Sequence, residues 1–112
     1  MGHLTYAGST QYEIDDRMLA HAKAVVSAKL RRQESFLLSW TVDAHAGSGR
    51  VSLWMSPSIP LEFRFSGSRV PQLNGMWLEA LMEMANSSRG LVLVTEQEAE
   101  QITAGRQAPP SV

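Results

Sequence analysis

Apolar and polar residues alternate with a period of two in three consecutive stretches in the middle of the chain. Phe36, Leu38, Trp40 and Val42 alternate with Leu37, Ser39 and Thr41. Val51, Leu53 and Met55 alternate with Arg50, Ser52 and Trp54, and Leu61, Phe63 and Phe65 alternate with Glu62 and Arg64. A period of two places one set of side chains on a buried sheet face and the other set on the opposite face. Strands are therefore predicted over 35–42, 50–56 and 61–66, antiparallel to one another. The Gly-rich run 43–49 is expected as an exposed hairpin loop. The Pro57-Ser58-Ile59-Pro60 turn is expected to be stiff and to set register between its flanking strands.

The period changes to three and four in two other places. Met18, Leu19, Ala22, Val25, Val26 and Leu30 form the apolar stripe of an amphipathic helix. Asp15 is placed to cap it, Asp16 favours its positive end, and Lys29, Arg31 and Arg32 suit its last turn, so the helix is expected to stop near Arg32. A second helix is expected from an Asn74 cap, with Trp77, Leu78, Leu81, Met82 and Ala85 inward and Asn86–Gly90 ending it. Ile14/Leu19 and Leu73/Leu78 have the spacing of hydrophobic staples. Residues 3–14 read as a short hairpin turning at 7–10. Leu91-Val92-Leu93-Val94 is a last strand, apolar throughout and so expected to be covered on both faces. After Thr95 the chain becomes acidic and then proline-containing. It permits a short helical turn around 95–103 and otherwise reads as a flexible tail over 96–112.

The order is strand, strand, helix, three strands, helix, strand. Strands and helices do not alternate strictly, which argues against a doubly wound parallel sheet. The expected fold is α+β: one mostly antiparallel sheet of five to six strands with two helices packed on one face, forming a single domain over 1–95.

Composition narrows the function classes. With 112 residues there is room for one domain with a modest core. A formal charge of −1 provides no general basic footprint for nucleic acid. The absence of cysteine removes disulfides, thiolate nucleophiles and cysteine-ligated metals. The N-terminal residues lack the basic start and apolar core of a signal peptide. Gly2 follows Met1, but neither Tyr6 nor Ala7 supplies the Ser or Thr of a myristoylation signal. No apolar run approaches the roughly 20 residues that span a bilayer. A soluble, cytoplasmic protein without a membrane partner is expected.

No catalytic constellation stands out. His3, His21 and His45 include no pair at metal-ligand spacing; His21 is expected to flank the first helix stripe and His45 to be exposed in its loop. Asp15 and Asp16 are accounted for by helix capping, and Glu79 and Glu83 by a solvated helix face. Gly47-Ser48-Gly49-Arg50 lacks the Lys-Ser/Thr ending and following helix of a phosphate-binding loop. Arg64 is expected to pair with Glu62 or Glu34, and Arg69 to tether the loop before the second helix.

Phase singles out a surface instead. Trp54 and Leu37 fall opposite the inward sets of their own strands. If they share the outer face, they make an apolar patch beside Glu62 and Arg64, which either is partly covered by the tail or the hairpin or, as a sizeable exposed patch usually does, marks a contact site. Arg31, Arg32, Arg50, Arg64 and Arg69, with Trp40 and Trp54 interleaved, also suit an anion or a nucleic-acid backbone with stacked bases. The candidate binding residues are Trp54, Leu37, Arg64, Glu62, Arg50 and Arg69.

Several strings taken together carry a resemblance: Asp15-Asp16-Arg17, Leu30-Arg31-Arg32 with Glu34-Ser35-Phe36, Ser39-Trp40, Pro57-Ser58-Ile59-Pro60-Leu61, Phe63-Arg64-Phe65, Gly67-Ser68-Arg69, and Leu73-Asn74 with Trp77 and Glu79-Ala80-Leu81. From the N-terminus to about Val94 the chain resembles a family of short actinobacterial proteins of unknown function, some of which carry the label ATP-dependent DNA ligase. The resemblance brings no active-site residues with it. A ligase needs a lysine in a Lys-x-Asp-Gly setting, whereas Lys23 is followed by Ala24-Val25 and Lys29 by Leu30-Arg31. The label then implies at most an accessory role in DNA metabolism. The expected function is a small non-catalytic interaction module that needs no cofactor or metal. Its expected partner is another protein or a second copy of itself, with contact to nucleic acid as the alternative.

Overall fold

Each helix begins where a side chain satisfies its free N–H groups. A computed structural model describes residues 1–42, 47 and 49–107; His45 and the rest of its loop, apart from Gly47 and Gly49, lie outside the described residues, as do residues 108–112. The elements are β1 (Gly2–Tyr6), β2 (Thr10–Ile14), α1 (Asp16–Arg31), β3 (Phe36–Val42), β4 (Gly49–Met55), β5 (Leu61–Arg64), α2 (Gly75–Ala85), β6 (Leu91–Val92) and α3 (Glu96–Gln107). Asp15 caps α1 by accepting from the N–H groups of Arg17 and Met18 at 3.1 and 3.2 Å. Asn74 caps α2 by accepting from those of Met76 and Trp77. At the end of α1, Gln33 takes the left-handed conformation, φ 62. Its N–H donates to Leu30 C=O and that of Glu34 to Lys29 C=O, the paired bonds of a Schellman motif.

The fold is α+β, with strands and helices in the expected order and a third helix added at the end. The six strands divide into two three-stranded sheets, β2-β1-β5 and β4-β3-β6, rather than one sheet of five to six strands. All pairs are antiparallel except β3 with β6. The division comes from the Pro57–Pro60 connection. Proline has no N–H to offer a ladder, and Pro60 C=O accepts instead from Ala7 N–H at 3.0 Å. The chain therefore leaves β4 and starts β5 alongside the end of β1. That turn sets no register between its flanking strands; it hands the chain from one sheet to the other.

The inward sets meet in one core. Leu4, Leu19, Leu38, Met55, Leu81 and Leu91 are each at most 1% exposed. Phe63, expected in the core, is half-buried at its edge. α1 lies on β1, α2 on β3 and β6, and the two helices pack on each other. Across the sheets, the Tyr12 and Trp40 rings meet edge to face at 5.4 Å. Gly2 is held so closely that an added Cβ would fall 2.6 Å from Arg64 O and 2.8 Å from Leu19. The expected last strand over 91–94 is a strand only at Leu91–Val92; Leu91 and, just beyond it, Leu93 are buried, while Val92 and Val94 stay half-buried. That strand lies at a sheet edge beside β3 and is not covered on both faces.

The acidic segment after Thr95 forms α3. Thr95 and Glu98 make reciprocal bonds, Thr95 N–H to Glu98 Oε1 at 2.8 Å and Glu98 N–H to Thr95 Oγ1 at 3.1 Å. This capping box is readable in the sequence as Thr-x-x-Glu. Ala99 is fully buried, and α3 packs on α2.

A polar junction ties the starts of the three helices together. The Arg17 guanidinium donates to both oxygens of Glu96, at 3.3 and 2.7 Å. The Asn74 amide donates to Glu96 Oε2 at 2.6 Å. His21 is fully buried and stacked on Trp77 at 4.1 Å, not merely flanking the stripe. Its Nε2 accepts from Asn74 N–H at 2.8 Å, which assigns the ring proton to Nδ1, 2.7 Å from Arg17 C=O. The bond from Arg17, then that from Asn74, holds the Glu96 carboxyl at about 2, against an ordinary 4.5. A carboxyl lowered on folding stabilises above its unfolded value and loses that contribution as pH falls through its folded one. Stability should therefore fall as pH drops from about 4.5 toward 2. Denaturation midpoints across that range should fall less steeply for Glu96→Gln, which starts from a lower midpoint at neutral pH. Parallel curves would contradict this assignment.

Candidate functional site

The outer face of β4-β3-β6 carries the exposed aromatic residue. Register places Leu37 opposite Trp54, Ser39 opposite Ser52 and Thr41 opposite Arg50, with Val92 beside Ser39 on the far side. In each strand these are the residues out of phase with the buried set Phe36, Leu38, Trp40, Leu53 and Met55. Trp54 is 54% exposed and Leu37 38%, whereas Trp40 on the other face of the same sheet is 7% exposed. The Ser39 and Ser52 hydroxyls bond at 2.9 Å next to the pair. The Trp54 backbone is anchored, because Tyr6 Oη donates to its carbonyl at 2.6 Å. Leu37 is held from the other side: Gly90, with φ 85, packs directly against its backbone. The patch is thus an apolar pair on a fixed backbone, bordered by small hydroxyl side chains, with Arg50 on the same face.

The other three candidate residues lie elsewhere. Glu62 and Arg64 are on β5, in the second sheet, and pair with each other at 3.6 Å. Their neighbours in register are Thr5 and His3, so that face is polar, and Thr5 Oγ1 donates to Glu62 at 3.4 Å. Glu34 pairs not with Arg64 but with Lys29, at 3.0 Å. The Lys29 bond outweighs the opposing effect of burial and holds the Glu34 carboxyl below its ordinary value. Lys29 is itself buried and also donates to Asn86 at 2.7 Å.

Arg69 lies in the segment between β5 and α2. It makes no hydrogen bond or ion pair among the described residues, so it does not tether that segment. Other residues do. Asp16 accepts from Ser66 N–H, Ser66 Oγ and Gly67 N–H at 3.3, 3.0 and 3.2 Å. Burial raises the Asp16 carboxyl, but these bonds outweigh it and leave the group below its ordinary value. Arg17 Nη1 donates to Gln72 C=O at 2.6 Å. Asp16 thus secures a loop fifty residues away as well as suiting a helix end. No local spacing announces that role.

No match was found among curated proteins or among solved structures. A family model covers residues 1–96, from β1 to the first residue of α3. The chain belongs to the family described as a domain of unknown function, DUF7882.

Proposed function

We propose that this chain is a small non-catalytic interaction module whose β4-β3-β6 outer face binds a protein partner or a second copy of itself. One observation carries the reading: Trp54, in the ladder of a sheet, is 54% exposed beside Leu37, which is 38% exposed. Aromatic side chains concentrate binding energy in interfaces, and an apolar centre with a polar border is the usual anatomy of one. The fixed backbone under both residues lowers the ordering cost of docking. Light scattering over a range of concentrations should show the mass rising, or the immobilised chain should retain a discrete protein at stoichiometric yield. A monomer at every concentration that also retains no protein would refute the proposal.

A second reading rests on Arg50, which shares this face with Trp54. A cation beside an exposed indole suits a nucleic-acid backbone and a stacked base. The resemblance to actinobacterial proteins labelled as ligases points the same way, toward an accessory role in DNA metabolism. Arg64 and Arg69 sit on other parts of the fold and add no basic stripe to this face. A mobility shift that weakens steeply with salt would favour this reading over the first. Either role suits a cytoplasmic protein, and no helix among the described residues is long and apolar enough to cross a membrane.

A further inference from the structure

Between α1 and the segment leading from β5 to α2 lies a groove of about 300 Å³. The segment is fastened at both ends. Asp16 holds Ser66 and Gly67 at one end. At the other, Arg17 holds the Gln72 carbonyl and His21 the Asn74 N–H. Between these anchors Ser68, Arg69, Val70 and Pro71 arch beside α1, and their side chains make no hydrogen bond or ion pair among the described residues. The arch is therefore shaped by its ends, and its own side chains are left for something else.

What lines the groove is apolar with two charges. Ala20 and Ala24 of α1 face Phe65, Val70, Pro71 and Leu73. Val70 is 85% exposed and Leu73 45%, so Leu73 is not buried as a helix staple would be. Ser27, Gly67 and Ser68, with the cations Lys23 and Arg69, complete the lining, and neither cation appears in an ion pair among the described residues. The Lys23 ammonium lies 5.8 Å from the centre of the Phe65 ring. Asp16, the carboxylate bonded to this segment, is engaged by three donors and does not line the groove.

We propose that this groove binds a small organic anion, with a carboxylate or phosphate-monoester head between Lys23 and Arg69 and an aromatic or branched aliphatic body against the apolar wall. Two cations with no ion-pair partner among the described residues define the head. Arginine offers a planar fork that matches either group, and lysine a point charge. The volume is at the small end of ligand sites, which run from about 300 to 1,000 Å³, and it suits a single ring or short branched chain. The groove lies apart from the β4-β3-β6 face, so the two proposals stand or fall separately.

The test is a titration followed by amide NMR shifts of the full chain. Benzoate and phenyl phosphate serve as probes for the two kinds of head. Inorganic phosphate and benzyl alcohol serve as controls that each lack one half. At millimolar concentration at least one probe should give saturable shifts confined to residues 20–27 and 65–73, and the stronger one identifies the head. Both controls should bind at least about tenfold more weakly, a difference of about 1.4 kcal/mol. Lys23→Gln and Arg69→Gln change exposed side chains, and each should weaken the probe by a similar factor with the remaining spectrum unchanged. Absence of saturable shifts would overturn the proposal. So would inorganic phosphate binding as well as the probes, or variants that bind like the parent.

Discussion

Leu81→Ala should lower the unfolding free energy by about 2–5 kcal/mol, the range for a large-to-small change in a packed core. Leu81 is fully buried in the stripe of α2, flanked by Trp77 and Ala85, both 3% exposed. α2 packs against α1, β3, β6 and α3, and Leu81 is 0% exposed on it. The surrounding backbone is constrained by the Asn74 cap at one end and the Lys29–Asn86 bond at the other. Little collapse into the cavity is therefore expected, which puts the loss in the upper part of the range. Urea unfolding of the two proteins measures it. A loss within error would mean that α2 is not packed as described.

Gly90→Ala should be comparably damaging, at about 2–6 kcal/mol. Gly90 has φ 85, and holding a non-glycine residue there costs about 1–3 kcal/mol. The added Cβ would also stand 2.5 Å from the Leu37 carbonyl oxygen and 3.0 Å from Leu37 Cβ. Main chain cannot turn aside as a flexible side chain would. The β3–β6 pairing, Leu38 with Leu91 and Ser39 with Val92, would have to open to admit the methyl group. Overpacking of this kind typically adds about 1–3 kcal/mol. The same unfolding experiment tests it, and a change below about 1 kcal/mol would show that the strand pair yields more easily than its geometry implies.

Local features of this chain were legible in its sequence, and long-range ones were not. The period-two runs located β3, β4 and β5, and Asp15 and Asn74 marked the starts of two helices because a cap acts within its own turn. The split into two sheets depends on β5 choosing β1 over β4. Phe63 and Phe65 would alternate identically beside either neighbour, so periodicity holds no information on that choice. His21 looked peripheral because a histidine at the border of an apolar stripe is ordinarily solvated. Its burial depends on Asn74, whose N–H reaches it across 53 residues. Glu96 looked like the start of an acidic tail, and its partner Arg17 is 79 residues away. The Thr95–Glu98 capping box was the one local signal that could have announced α3.

The candidate surface divides in the same way. Phase alone placed Trp54 and Leu37 opposite the core sets of their strands, and both are exposed there. Phase could not say which sheet Glu62 and Arg64 join, and they lie on the other one. In the sequence Lys23 is marked only by its lack of a ligase setting. Its place in the groove beside Arg69 follows from the Asp16 and Arg17 anchors, which no spacing rule reveals.

The most direct test of the central claim compares Trp54→Ala with Trp40→Ala in two measurements, association and the stability of the isolated domain. If the outer face is a contact surface, Trp54→Ala weakens association by more than about 1 kcal/mol, as loss of an aromatic hot spot does, and costs the domain less stability than Trp40→Ala. Equal destabilisation by the two changes, with association unaffected by Trp54→Ala, would place Trp54 in the structural framework and contradict a binding role for this face.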